Sequence, residues 1–392
     1  MKKTVKLNDI LSITRGASPR PISNYITNES DGVNWIKIGD VDPNSFFITH
    51  TEEKITKEGA KKSRYVKEGD FILSNSMSFG RPYILKINGC VHDGWLILSD
   101  YENHVTSSYL YYLLRSPTVQ SQFDGSAKGA TVRNLNSDIV RNVSVSIHNN
   151  KTEQQKIAAH LDSIQSAIDN KKQQLAQLDE LVKSKFVEMF GENPVENGKW
   201  KVETLGSKSE LITKGASPRW QGVEYQSEGT LFVTSENVRE GYVDLTKSKY
   251  LPDEINEILP RSILRKNDVL INIVGASIGR AAIYEFEKKA NINQAVALVR
   301  LNSSDLDRTF LLIYLNSELA MKLYQSMIKG GARDNLSLKN ISDLSIPVPP
   351  IELQNTFAEY VQKIDSAKSI IKTQLNDLNE LLESKMDFYF GE

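Results

Sequence analysis

The residues from about Glu153 to Phe190, EQQKIAAHLDSIQSAIDNKKQQLAQLDELVKSKFVEMF, return at the end of the chain as ELQNTFAEYVQKIDSAKSIIKTQLNDLNELLESKMDFYF. Aligned from Ile164 and Ile364, the two stretches agree at 14 of 29 positions, and Leu175, Leu178, Leu181, Ser184, Lys185, Phe190, Gly191 and Glu192 each recur 200 residues later. An internal repeat restricts the possible architectures more than any other feature, because each copy must fold as the other does. The chain therefore reads as globular part, long helix, globular part, long helix.

Both long stretches carry an apolar seam at steps of three and four. In the first it is Ile157, Leu161, Ile164, Ile168, Leu175, Leu178 and Val182; in the second, Phe357, Val361, Ile364, Ile371, Leu375, Leu378 and Leu382. Such heptad spacing lets one helix pack along another. The seam is interrupted at Lys171 in one copy and Lys368 in the other. Glycine, proline and β-branched runs are absent from the helix middles, as helix propensity requires. Roughly 33 helical residues span about 50 Å, longer than a small domain is wide. The preferred reading is an antiparallel pair; the alternative is a surface helix lying on its own domain.

At 392 residues there is room for two domains of about 150 residues besides the helices. The resulting division is 1–150, 151–192, 193–350 and 351–392. Each globular part mixes strand and helix patterns, so the fold class is α/β (α+β), tandemly duplicated and joined by two long antiparallel coiled-coil helices. No stretch has the length and apolarity of a signal peptide or a membrane span. The one cysteine, Cys90, has no internal partner for a disulfide, and the reading is cytoplasmic. The five histidines show no metal-ligand spacing. Net charge is −1 overall, but it is +3 over residues 1–150, +1 over 193–350 and −5 over the two helical segments. The distribution permits nucleic-acid binding by the globular parts, and mixed charge on a solvated surface accounts for it nearly as well.

The globular parts repeat the same landmarks. TRGASPR at Thr14–Arg20 returns as TKGASPR at Thr213–Arg219. Strands read at Val33 to Ile38 and Phe71 to Leu73 are answered at Leu231 to Thr234 and Asp268 to Ile271. Ser78-Phe79-Gly80-Arg81 is answered by Ser277-Ile278-Gly279-Arg280, and the helix YLYYLLRS (109–116) by FLLIYLNS (310–317). Thr106 is placed to N-cap the first of these helices. Gly129 to Leu135 is answered by Gly330 to Leu336 in a Gly-rich basic loop. What lies between these landmarks differs, which fits two related surfaces with different targets. Trp35 and Trp95 read as core; Trp220, in a polar loop, reads as a surface residue.

Enzyme patterns fail on inspection. Gly275-Ala276-Ser277-Ile278-Gly279 fits a nucleophile elbow, but no histidine follows Ser277; the last is His160. The grouping of Pro252-Asp253 with Glu287-Lys288-Lys289 is the kind of cluster expected by chance where 25% of residues are charged. Neither a P-loop nor a dinucleotide glycine fingerprint is present, nor an Asn/Asp-Pro-Pro-aromatic run of the kind adenine methyltransferases carry.

The order of these landmarks, given twice with two long helices led by EQQ and ELQ, resembles the DNA-specificity (S) subunit of Type I restriction–modification systems over the whole chain. The first half departs from the pattern at Ser146-Ile147-His148-Asn149-Asn150, where the second has the proline-rich exit Pro347-Val348-Pro349-Pro350. The resemblance implies a non-catalytic subunit with two target-recognition domains, each reading one half of a split sequence in double-stranded DNA. It implies helices that set the gap and dock two methyltransferase (M) subunits, with restriction (R) subunits in the full complex. It also implies no cofactor in this chain, the partner subunits using S-adenosylmethionine, and ATP with Mg for restriction. Small residues on the acidic helix faces, Ala158, Ala159, Ala167 and Ala176, suit such docking.

Phosphates are held by Arg, Lys and the amides of glycine loops. That selects Arg15, Arg20, Lys128, Gly129 and Arg133 in the first domain, and Lys214, Arg219, Lys329, Gly330 and Arg333 in the second. Base edges are read by Arg, Asn, Gln and short hydroxyls. The candidates are Asn75, Ser76, Ser78 and Arg81, then Asn272, Ser277, Arg280, Asn293 and Gln294. The alternatives are solvated turns for the first set and buried loop supports for the second. A different functional class also fits the pattern: a cytoplasmic coiled-coil scaffold using two domains to bind proteins.

Overall fold

The structure is a computed structural model that describes residues 2–42, 45–75, 79–126, 135–328 and 335–391. It divides into two compact units, Met1–Gln173 with Lys372–Glu392, and Gln174–Ile371. Each unit thus takes half of each long helix. The central helix runs Lys151–Phe190 and the C-terminal helix Ile351–Phe390, each 40 residues.

In the first unit the fully buried strand Phe71–Ser74 is central. It pairs antiparallel with Trp95–Ser99 and with Pro82–Leu85; Ser12–Arg15 lies outside the former and Phe47–Ile48 outside the latter. A second sheet has Val33–Ile36 parallel to Gly89–Val91. Lys2–Lys6 pairs antiparallel with Ser144–His148, so the chain start is tied to the strand that enters the central helix. A strand buried on both faces reads as a continuous apolar run, which is why Phe71-Ile72-Leu73 was visible in the sequence.

The second unit repeats this plan with fewer strands. Asp268–Asn272 is central, between Val296–Leu301 and Ala281–Tyr284, with Ser209–Lys214 at the edge. Thr230–Val233 lies parallel to Ala290–Ile292, and Lys201–Thr204 pairs with Ser345–Val348. Asp268 opens its strand in the interior, where Arg300 grips it with two bonds of 2.8 and 2.7 Å. A buried carboxylate is tolerable only with such a partner.

Within each unit the helix halves run antiparallel. In the first, Ile157, Leu161, Ile164 and Ile168 share one core with Leu382, Met386 and Phe390, and His160 Nδ1 meets the Tyr389 hydroxyl at 2.8 Å. In the second, Val182, Phe186 and Phe190 share a core with Phe357 and Val361, with the Phe186 and Phe357 rings 5.6 Å apart. The seam is thus longer than the aliphatic pattern indicated, ending in aromatic residues that also pack into each domain. Where it is interrupted, Lys368 reaches across to Asp179 at 2.6 Å.

Two expectations are corrected here. Ala158 is buried in the first unit's core and is no docking surface, whereas Ala159 and Ala176 are exposed. Thr106 occupies the N-cap position of Ser107–Arg115, but its side chain makes no capping bond. Its hydroxyl is buried without a partner among the described residues. In the repeat, Asp307 does cap, accepting from the Phe310 N–H at 2.9 Å. Trp35 and Trp95 are buried, and Trp220 is 82% exposed.

Candidate nucleic-acid interface

The two Gly-Ala-Ser-Pro loops leave the edge strands Ser12–Arg15 and Ser209–Lys214. Their glycines are required by packing. A Cβ on Gly16 would stand 2.1 Å from the His92 carbonyl oxygen, and one on Gly215 would stand 1.6 Å from that of Ile292. Around Gly16 the loop is organised by an acid that the sequence reading passed over. Asp93 accepts from the Ser18 hydroxyl at 2.8 Å and from Arg20 at 3.2 Å, while its carbonyl accepts from Arg15 Nε at 2.9 Å. The Ser18 hydrogen bond, aided by a backbone hydrogen bond and the Arg20 charge, holds the Asp93 carboxyl below the usual carboxylate range.

The strand pairing aligns Trp95 with Ser74 and Val296 with Asn272. In that register the counterpart of Asp93 is the exposed Gln294. One loop therefore carries a carboxylate where its repeat carries an amide, a difference suited to different base edges. Lys214 and Arg219 are exposed. Arg20 is exposed too, and surface ion pairs such as Arg20–Asp93 hold their partners weakly.

Behind these loops lie the Ser-x-Gly-Arg turns. Gly80 and Gly279 have φ of +70° and +86°, and a Cβ on them would strike Phe123 at 2.8 Å and Tyr324 at 2.5 Å. Asn75 and Asn272 are buried at the base of the turns. Asn75 donates to the Asp93 carbonyl at 3.3 Å, and Asn272 donates to Ser235 O and Ser277 Oγ, each at 3.0 Å. Enclosure and hydrogen bonding reassign both from base contact to loop support. The same bond occupies Ser277, whose segment joins two antiparallel strands rather than a strand and a helix. The nucleophile-elbow reading has no structural basis here.

Arg81 and Arg280 are half-buried; Arg81 lies over the Tyr83 ring at 5.1 Å and donates to Ser45 O at 3.4 Å. The Asn293 side chain accepts from the Ala295 N–H at 3.1 Å. Ser76, Ser78, Lys128, Gly129, Arg133, Lys329, Gly330 and Arg333 lie outside the described residues. The loops that contain the latter six return at Leu135 and Leu336. Those residues donate to Asn75 O and Ile273 O, each at 2.9 Å. In each unit, then, the glycine loop, the turn and the end of the Gly-rich loop meet at one end of the central strand.

Among the described residues no group of His, Cys, Asp and Glu could hold a metal ion, and no helix is long and apolar enough to cross a membrane. What the fold defines is a duplicated α/β protein that presents two sets of polar loops. The sequence profile of the Type I restriction modification DNA specificity domain matches residues 2–180 and 197–380, and the chain belongs to that family of non-catalytic specificity subunits. It is 24% identical to the Type I restriction enzyme EcoBI specificity subunit of Escherichia coli, over 97% of this chain and 83% of that one. It is 20% identical to the MjaVIII specificity subunit of Methanocaldococcus jannaschii, over 83% and 79%. Among solved structures, the Type I S subunit from M. genitalium has the same fold, with a TM-score of 0.52 at 14% identity over 100% of this chain and 96% of that one. A chain solved in work on assembly and conformational transition of the type I R-M system gives a TM-score of 0.62 at 17% identity, over 98% and 96%.

Proposed function

We propose that the two globular domains, 1–150 and 193–350, each read one half of a bipartite sequence in double-stranded DNA. The long helices set the gap and dock two methyltransferase subunits, with restriction subunits joining the full complex in the cytoplasm. S-adenosylmethionine, and ATP with Mg for restriction, belong to those partner subunits. The observation that carries this reading is the repeated meeting of the glycine loop, the turn and the returning residue Leu135 or Leu336 at one end of each central strand, with the scaffold kept and Asp93 in one half answered by Gln294 in the other. Arg20, Lys214 and Arg219 then hold phosphates, and Gln294 and Arg280 are the strongest base-reading candidates in the second domain. Trp220 adds a contact surface beside Arg219.

The test is to sequence methylated sites in cells carrying this chain with its methyltransferase partner. A split motif is the expected result, and replacing residues 1–150 by the matching domain of a relative should change one half of it only. A protein-binding scaffold would give neither a methylation motif nor salt-sensitive binding to random duplex DNA.

A further inference from the structure

On the first unit a cleft of about 430 Å³ opens between the turn at Phe79 and Arg81, the helix Ser107–Arg115 and the central helix. Arg81, Arg115 and Lys172 line it, with Asp169 the one carboxylate in the lining. Arg115 is the last residue of its helix, and its guanidinium lies over the Tyr111 ring at 5.1 Å. Its Nη1 donates to the Tyr111 hydroxyl at 2.8 Å and to Gln165 Oε1 at 3.4 Å. The group is therefore fixed in direction by neutral partners and makes no ion pair among the described residues. Burial pushes the Tyr111 hydroxyl above its usual range, so it remains protonated and adds no negative charge. Phe46 packs on Tyr111 with ring centroids 4.5 Å apart, which gives the cleft an apolar wall.

The repeat shows that the fold does not need this arrangement. In the register of YLYYLLRS on FLLIYLNS, Arg115 is replaced by Asn316 and Tyr111 by Leu312. Asn316 turns into its own sheet, donating to Ala281 O at 3.0 Å and accepting from the Ala281 N–H at 2.9 Å. A structural requirement of the scaffold would appear in both halves. Arg115 and Lys172 bring two cations to a lining whose one carboxylate is Asp169, and an anion with several acceptor oxygens suits them. The planar fork of a guanidinium matches a phosphate group in this way.

We propose that this cleft binds a phosphate ester, carried either on duplex DNA or on a free nucleotide. Duplex DNA is the carrier that the function proposed above would supply, and only that choice rests on it. The site belongs to the first half alone, so it biases the grip of the subunit toward one half-site.

The test uses the full-length chain with random-sequence duplex DNA across a salt series, and adenosine monophosphate as the free nucleotide. Arg115→Gln and Lys172→Gln are compared with wild type and with the charge-keeping Arg115→Lys. Lys172 is exposed, so its variant decides the matter if Arg115→Gln fails to fold. With DNA as carrier, each Gln variant weakens binding about five-fold, equally on all sequences. The slope of log K against log salt also flattens by about one unit, and Arg115→Lys restores it. With a free nucleotide as carrier, the monophosphate binds wild type and is lost in the variants while duplex affinity is unchanged. If the variants keep wild-type duplex affinity and slope and the monophosphate does not bind, the proposal is overturned. If wild type binds no duplex, the DNA-reading function fails, and the nucleotide titration alone decides the cleft.

Discussion

The side-chain carbonyl of Gln154 accepts a hydrogen bond from the backbone N–H of Thr106 at 2.9 Å, in the interior of the first unit. Its amide donates to His104 O at 3.0 Å and His148 O at 2.7 Å. Gln354 does the same 200 residues later, accepting from Asp307 N–H at 2.8 Å and donating to Asp305 O at 2.9 Å and Pro349 O at 2.7 Å. One glutamine in the first turn of each long helix therefore closes three backbone groups of its domain and fixes the angle at which the helix leaves.

Replacing Gln154 or Gln354 by Leu keeps the volume and leaves those three backbone groups without partners. Each unmade bond to a buried group costs about 1–3 kcal/mol. We expect a loss of roughly 3 kcal/mol or more per variant, read as a lowered midpoint in urea unfolding. Unchanged midpoints would show that water replaces the glutamine.

The glycine loops yield a contrasting pair of variants. Gly215→Ala forces its Cβ onto the Ile292 carbonyl, so the loop or the strand end must move. A loss of roughly 3 kcal/mol is expected, in the upper range for point substitutions. Lys214→Ala, at an exposed position next to it, should leave stability within about 0.5 kcal/mol while weakening duplex binding. Equal loss of binding in two equally stable proteins would mean that Gly215 touches DNA directly.

These cases mark what the sequence could disclose. The long helices and central strands were legible because periodicity and apolar runs are local signals. Ser76, Ser78 and the Gly-rich loops were legible as loops only. Gly16 and Gly215 were legible as loop punctuation but not as packing requirements, because the constraint comes from a carbonyl about 75 residues away in the chain. Gln154 and Gln354 were visible as part of a repeated leader. Their partners lie on segments folded back against the helix, so no spacing rule indicates them. Arg115 sits in a helix that reads as core, and only its pairing with Asn316 in the repeat sets it apart.

Acid should weaken the first unit through His148. Its ring is buried beside Tyr109, with Nδ1 2.9 Å from the tyrosine hydroxyl, and Glu153 Oε1 is 3.8 Å from Nε2. Burial lowers its pKa from 6.5, Glu153 opposes that shift, and Lys2 and the N-terminus add to it. A lowered folded pKa means that the unfolded chain binds the proton first. Stability conferred by neutral His148 is complete above 6.5 and falls as pH drops from 6.5 toward the folded pKa. Buried His92, also shifted down by desolvation, acts in the same sense. We therefore expect His148→Gln to flatten, without abolishing, the fall in melting temperature between pH 7.5 and 5.5. A slope identical to wild type would remove His148 from the account.

The antiparallel pairing changes how the gap between half-sites can be tested. Adding four residues between Leu175 and Leu178 lengthens the central helix by about 6 Å and turns it by slightly more than one turn, displacing the seam as a stutter. Residues on both sides of that point are already committed to the C-terminal helix: Ile157 to Ile168 share a core with Leu382 and Phe390, and Asp179 and Phe186 meet Lys368 and Phe357. An insertion in one helix alone must therefore strip one of these seams or bulge. A second insertion of four residues between Ile371 and Lys372 keeps both in register. We expect the single insertion to lower the melting temperature and reduce methylation. The matched pair should recover both, and lengthen the unread gap by one or two base-pair steps of about 3.4 Å with both half-site sequences unchanged. Mapping methylated sites decides it: a stable, active matched pair that keeps the original gap would refute the helices as a ruler.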